Sequence, residues 1–63
     1  MKKIYVTWVD DDTTEYENAY DINDRGKWLL FKTNEDGIIH EYSLNTDKVY
    51  EIDMIDQEGK DGM

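Results

Sequence analysis

Five short runs of β-branched and aromatic residues, separated by polar turns, constrain this chain more than any other feature. They start about every nine to fourteen residues, close to the spacing of consecutive strands in an all-β domain. Ile4–Val9 alternates Ile4, Val6 and Trp8 against Tyr5, Thr7 and Val9, and Asp10-Asp11-Asp12 ends it, because Asp is depleted in strands and favoured in turns. Thr13–Ile22 places Tyr16, Tyr20 and Ile22 on one parity and Glu15, Glu17 and Asp21 on the other. A strand therefore turns aromatics one way and carboxylates the other. Asn18 breaks the aromatic side, so a bulge or a polar partner belongs there. A helix is the weaker alternative, since Thr13 and Thr14 are poor helix formers and no 3.6-residue stripe is present.

The remaining runs follow the same logic. Asn23-Asp24-Arg25-Gly26 is a turn. Lys27–Thr33 holds four consecutive apolar residues, Trp28 to Phe31, which suits a central strand covered on both faces. Asn34-Glu35-Asp36-Gly37 is the strongest hairpin signal, because Asp-Gly supplies positive-φ positions. Ile38–Leu44 puts Ile38, His40, Tyr42 and Leu44 on one parity. Leu44–Asp47 reads as a turn or a single 3₁₀ turn. Val49–Ile55 then turns Tyr50, Ile52 and Met54 inward and Glu51 and Asp53 outward.

Sixty-three residues make one small domain, and a chain this short buries only about 60% of its unfolded surface. There is no Cys to add a disulfide or a thiolate metal site, so a core has to come from the eight aromatic residues or from oligomerisation. There is also no Pro, no repeat and no shift of composition. An antiparallel meander with one apolar face is expected to curl onto itself as a small barrel or to expose that face to a partner. The layout resembles the small SH3-like and Sm-like barrels: five short strands, a hairpin tipped by Asp36-Gly37, and a short turn before the last strand. That resemblance implies a barrel over residues 1–56, with 57–63 as a flexible tail, and carries no function with it.

Charge is unevenly distributed. Between Ile4 and Asp24 stand Asp10, Asp11, Asp12, Glu15, Glu17, Asp21 and Asp24 with no Lys or Arg, and the chain as a whole carries a net charge of −9. Such a field repels nucleic acid and anionic membrane and attracts basic surfaces. No run reaches the roughly 20 apolar residues of a spanning helix, and Ile4–Val9 is too short and too polar at its end for a signal peptide. The reading is a soluble, cytoplasmic protein.

Several chemistries are poorly served by these residues. His40 and Ser43, the single histidine and single serine, lie at opposite parity on one strand, which separates a nucleophile from its base. A calcium loop with Gly37 at its sixth position has Lys32 at the first and Ser43 at the twelfth, and fails at both. No His/Cys set exists for zinc, and the glycines are too scattered for a phosphate loop. Arg25, Lys27 and Lys32 beside Trp28 and Phe31 are the only hint of a nucleic-acid groove, and the net charge opposes it. No enzyme, cofactor or metal is expected.

The acidic rows are the remaining candidate. In a strand Glu15 and Glu17 lie about 6.6 Å apart on one side, with Asp21 continuing the line and Asp10, Asp11 and Asp12 extending it. Glu51 and Asp53 form a second row, and Tyr5, Trp8 or Tyr16 is an aromatic anchor for such a contact. Carboxylates held in a row can occupy a groove built from Lys and Arg for phosphates. With Asp10-Asp11-Asp12, the Glu15-Tyr16-Glu17 and Glu51-Ile52-Asp53 alternations, small size and no Cys or Pro, the chain is similar to the small acidic inhibitors of phages and mobile elements, such as anti-CRISPR proteins, restriction inhibitors and uracil-DNA glycosylase inhibitors. That resemblance implies an inhibitor in the host cytoplasm that binds the basic surface of a nucleic-acid-binding protein by partial DNA mimicry. The alternative from another class is a structural or adaptor β module, a homo-oligomer that joins exposed sheet edges.

Overall fold

A computed structural model describes residues 1–57; most of the expected tail, 58–63, lies outside them. The described residues form five strands and one short helix: β1 (Lys2–Trp8), β2 (Thr13–Asp24), β3 (Trp28–Glu35), β4 (Ile38–Asn45), the 3₁₀ turn η1 (Thr46–Lys48) and β5 (Val49–Asp56). All neighbours are antiparallel, in the order β4-β3-β2-β1-β5. β1 to β4 run as a meander, and β5 then returns to lie beside β1.

The barrel expected from the strand spacing is not made. Among the described residues no ladder joins β4 to β5, so the sheet stays open with both as edge strands. The apolar positions of β5 explain where it goes: Val49, Ile52 and Met54 stand opposite Trp8, Val6 and Ile4 of β1. Pairing there continues the apolar face and leaves β4 with β3 as its one neighbour. η1 makes the connection. Its Thr46 N–H donates to the Lys27 carbonyl at 2.9 Å, and the Lys48 carbonyl accepts from Val9 N–H at 3.0 Å. The Asn45 side chain caps it through Asp47 N–H at 3.0 Å.

β2 is long because it serves two partners. Residues up to Ala19 pair with β1, and residues from Ala19 onward pair with β3. Two bulges divide it. Lys2 faces Ala19 while Ile4 faces Tyr16, so one residue is inserted near Asn18; Tyr20 faces Lys32 while Asn23 faces Leu30, so another is inserted near Asp21. Asn18 and Asp21 adopt φ of 59° and 52°, a left-handed conformation that Asn and Asp tolerate better than β-branched residues. The bulge at Asn18 is held on two sides: its N–H donates to Gln57 Oε1 at 2.7 Å and its Nδ2 donates to the Asn34 carbonyl at 3.2 Å.

Each bulge flips the parity that follows it, which corrects the simple alternation. Ala19, expected among the carboxylates, is wholly buried, and Tyr20, expected with Tyr16, is opposite Lys32 on the outer face. β5 repeats the effect. Thr7 faces Glu51 while Trp8 faces Val49, so Tyr50 is the inserted residue and turns outward instead of inward, 76% exposed.

The core lies on one face of the sheet. Ile4, Val6, Ala19, Leu29, Phe31 and Leu44 form it, with Trp8, Tyr16, Ile22, Tyr42, Val49 and Ile52 packed around them. Tyr16, Phe31 and Tyr42 meet as a triad with ring centroids 4.8 to 5.3 Å apart, and so tie β2 to β3 and β4. Trp8 satisfies its indole N–H on Thr14 Oγ1 at 2.9 Å. Aromatic burial of this kind lets one sheet of a small domain hold together without a disulfide.

Candidate functional site

The two acidic rows read from the sequence lie on the same outer face, one on each side of β1. Tyr5 is opposite Glu15 of β2 and Asp53 of β5, and Thr7 is opposite Thr13 and Glu51. With neighbouring strands about 4.8 Å apart, Glu15 and Asp53 stand on strands about 9.6 Å apart, with Tyr5 between them. Period-two counting cannot foresee this meeting, because it depends on β5 crossing to β1.

The same face carries a cation that the first row did not include. Lys3, before the acidic stretch in sequence, projects between the rows. Its Nζ lies 3.4 Å from both Glu15 and Glu17 and 5.3 Å from the Tyr5 ring centroid. The Tyr5 side chain first, and then the Glu15 carboxylate, hold the Lys3 ammonium above the ordinary lysine range. Glu15 and Glu17 are therefore already engaged. Asp21 is likewise engaged, 3.6 Å from Lys32, and the Asn18 bulge separates it from Glu15 and Glu17. A continuous phosphate-like line through Glu15, Glu17 and Asp21 is not formed.

Asp10, Asp11 and Asp12 make the β1–β2 turn. Asp10 Oδ1 accepts from Asp12 N–H at 3.2 Å, Asp11 takes φ of 75°, and Trp8 N–H donates to the Asp12 carbonyl at 2.8 Å. Their residue types are those the turn requires. Tyr16 faces the core triad, where burial first and the neighbouring Tyr42 second raise its phenol above the ordinary value.

The other candidates separate further. Phe31 is buried in the core and does not stand with Trp28 beside the cations, while Lys27 pairs with Asp47 at 3.8 Å. A shallow apolar hollow of about 410 Å³ is lined by Arg25, Trp28, Leu30 and Ser43 on the outer side of β3 and β4. His40 lies 3.8 Å from Glu35, and Ser43 is opposite Leu30 on the other face. Among the described residues no three His, Cys, Asp or Glu side chains converge as a metal site, and no helix is long and apolar enough to cross a membrane.

The sheet edges were less visible in the sequence. Eight large apolar residues are exposed among the described residues, and five sit on the two edge strands: Ile38 and Ile39 on β4, and Tyr50, Met54 and Ile55 on β5. The two adjacent isoleucines after Gly37 were the available signal, but strand counting alone does not say which strand is an edge.

Comparison with protein-family models, curated proteins and solved structures finds no match for this chain. The descriptions DNA mimic, anti-CRISPR-like and phage, which rested on acidic clustering and size, find no support in these comparisons and are set aside.

Proposed function

We propose that the protein is a small structural or adaptor β module that works without catalysis and assembles with copies of itself by joining sheet edges. The observation that carries this reading is the concentration of exposed apolar side chains on β4 and β5, the two strands that lack a partner on one side among the described residues. An open edge presents unpaired N–H and C=O groups, and apolar side chains beside them make it a template for another strand. The acidic outer face has a complementary role here. At a net charge of −9 per chain, like-charged faces repel, which disfavours stacking of sheets and leaves the edges as the route to association.

Light scattering coupled to size exclusion, across a range of concentrations at low and high salt, tests the proposal. The expected result is a mass above one chain that rises with concentration and is favoured by salt, because screening removes repulsion between acidic copies. A single-chain mass at every concentration and salt would contradict it.

A further inference from the structure

The two free edges are not equivalent. β5 is guarded in the ways edge strands commonly are: Tyr50 is an inserted residue that interrupts its ladder with β1, and Glu51 and Asp53 place carboxylates along it, with Asp56 at its end paired to Lys2. β4 has no such protection. Its eight residues pair with Trp28–Glu35 of β3 without a register shift. Its single carboxylate, Glu41, stands opposite Lys32 of β3, and His40 lies beside Glu35.

The hairpin turn fixes which backbone groups of β4 are free. Asp36 and Gly37, at φ of 53° and 85°, form a two-residue type I′ loop between Glu35 and Ile38. The residues flanking such a loop form a hydrogen-bonded pair, and bonded pairs alternate along the ladder. Ile38, His40 and Tyr42 therefore turn their backbone groups toward β3, while Ile39, Glu41 and Ser43 turn theirs away from it. These last three residues are exposed.

Building on the homo-oligomer reading, we infer that two copies join through antiparallel pairing of their β4 edges about a two-fold axis at Tyr42, giving one continuous ten-stranded sheet. A two-fold axis normal to the sheet opposes residues of the same face. With Tyr42 on the axis, Glu41 meets Ser43 of the second copy and Ile39 meets Asn45. An axis at Glu41 would instead set two carboxylates against each other. The Tyr42 axis also carries each outer row across the junction. Ile39, 48% exposed, falls in one row with Trp28 of the second copy, 44% exposed and opposite Asn45 there. Glu41 falls between Lys32 of its own chain and Ser43 of the second copy. Charge favours this joint over one at β5, because β4 carries a single carboxylate, Glu41, which meets Ser43 across the axis, whereas β5 carries Glu51, Asp53 and Asp56.

Sedimentation or light scattering of the full chain and three variants tests this. Ser43→Pro removes an outward N–H without touching the β3 ladder, a position where an edge strand accepts proline. Ile39→Lys places charge on the same edge and serves should the proline disturb the hairpin; an unchanged far-UV spectrum reports that each variant is folded. Ile55→Lys is the control on β5. The inference expects a two-copy species for the parent and Ile55→Lys, and association weaker by about tenfold or more for Ser43→Pro and Ile39→Lys. Dimers in every variant, loss with Ile55→Lys, or a mass that climbs past two copies would overturn the β4 assignment and leave the homo-oligomer reading standing. A parent that stays a single chain throughout overturns both.

Discussion

β4 and β5 are both eight-residue edge strands of the same open sheet, yet they are built to opposite specifications. β5 contains a bulge at Tyr50 and carries three carboxylates, of which Asp56 pairs with Lys2. β4 is regular, carries one carboxylate and begins with two exposed isoleucines. Position in the sheet alone therefore does not make an edge adhesive. Regularity and charge decide whether its free backbone groups can be reached by another strand.

The comparison is broken most severely by removing the support common to both edges. Phe31 is 2% exposed and links Tyr16 of β2 to Tyr42 of β4. Phe31→Ala should cost about 3–5 kcal/mol, enough to unfold much of so small a domain. Urea denaturation followed by tryptophan fluorescence would show the loss. Next in size is removal of the β5 guard. Replacing Glu51 and Asp53 by Thr and deleting Tyr50 should turn β5 into a second open edge. Light scattering should then find assemblies larger than two copies, since two unlike adhesive edges allow an open chain.

A smaller effect is expected at the bulge that divides the β1–β5 half from the β3–β4 half. Asn18→Val places a β-branched residue at φ of 59° and removes the bond to the Asn34 carbonyl, costing about 2–3 kcal/mol. Asn18→Gly keeps the conformation and loses the side-chain bond, so it should cost about 1 kcal/mol by the same denaturation. The smallest effect is a pH dependence at the joint between the halves. Burial raises the Tyr16 phenol above its ordinary value of 10.0, so its contribution is fully present below that pH and is lost as pH rises through the folded-state value. Lys3, also raised, acts in the same direction from an exposed site. Thermal melts should fall above about pH 10 in the parent, and Tyr16→Phe should flatten part of that fall.

Much of this fold was legible in local chemistry. The alternating runs marked five strands, Asp36-Gly37 marked the hairpin, and the polar Leu44–Asp47 segment marked the turn that includes the start of η1. What was not legible has a common physical cause. One inserted residue leaves composition unchanged but reverses every later side chain, so Ala19, Tyr20 and Tyr50 were placed on the wrong faces. Long-range pairing was equally hidden. Nothing near Val49 says that its strand will leave β4 for β1, yet that choice opens the sheet, brings Glu15 and Asp53 to one face and creates the β4 edge. The pairing of Lys3 with Glu15 and Glu17 has the same origin, since the lysine lies outside the acidic stretch in sequence.

Residue-resolved amide hydrogen exchange, measured on dilute and concentrated samples, tests the central claim most directly. The β4-edge account predicts that the Ile39, Glu41 and Ser43 amides exchange freely when dilute and become protected on concentration, while the β5 amides change little. Protection that grows on β5, or β4 amides whose exchange does not depend on concentration, would contradict it.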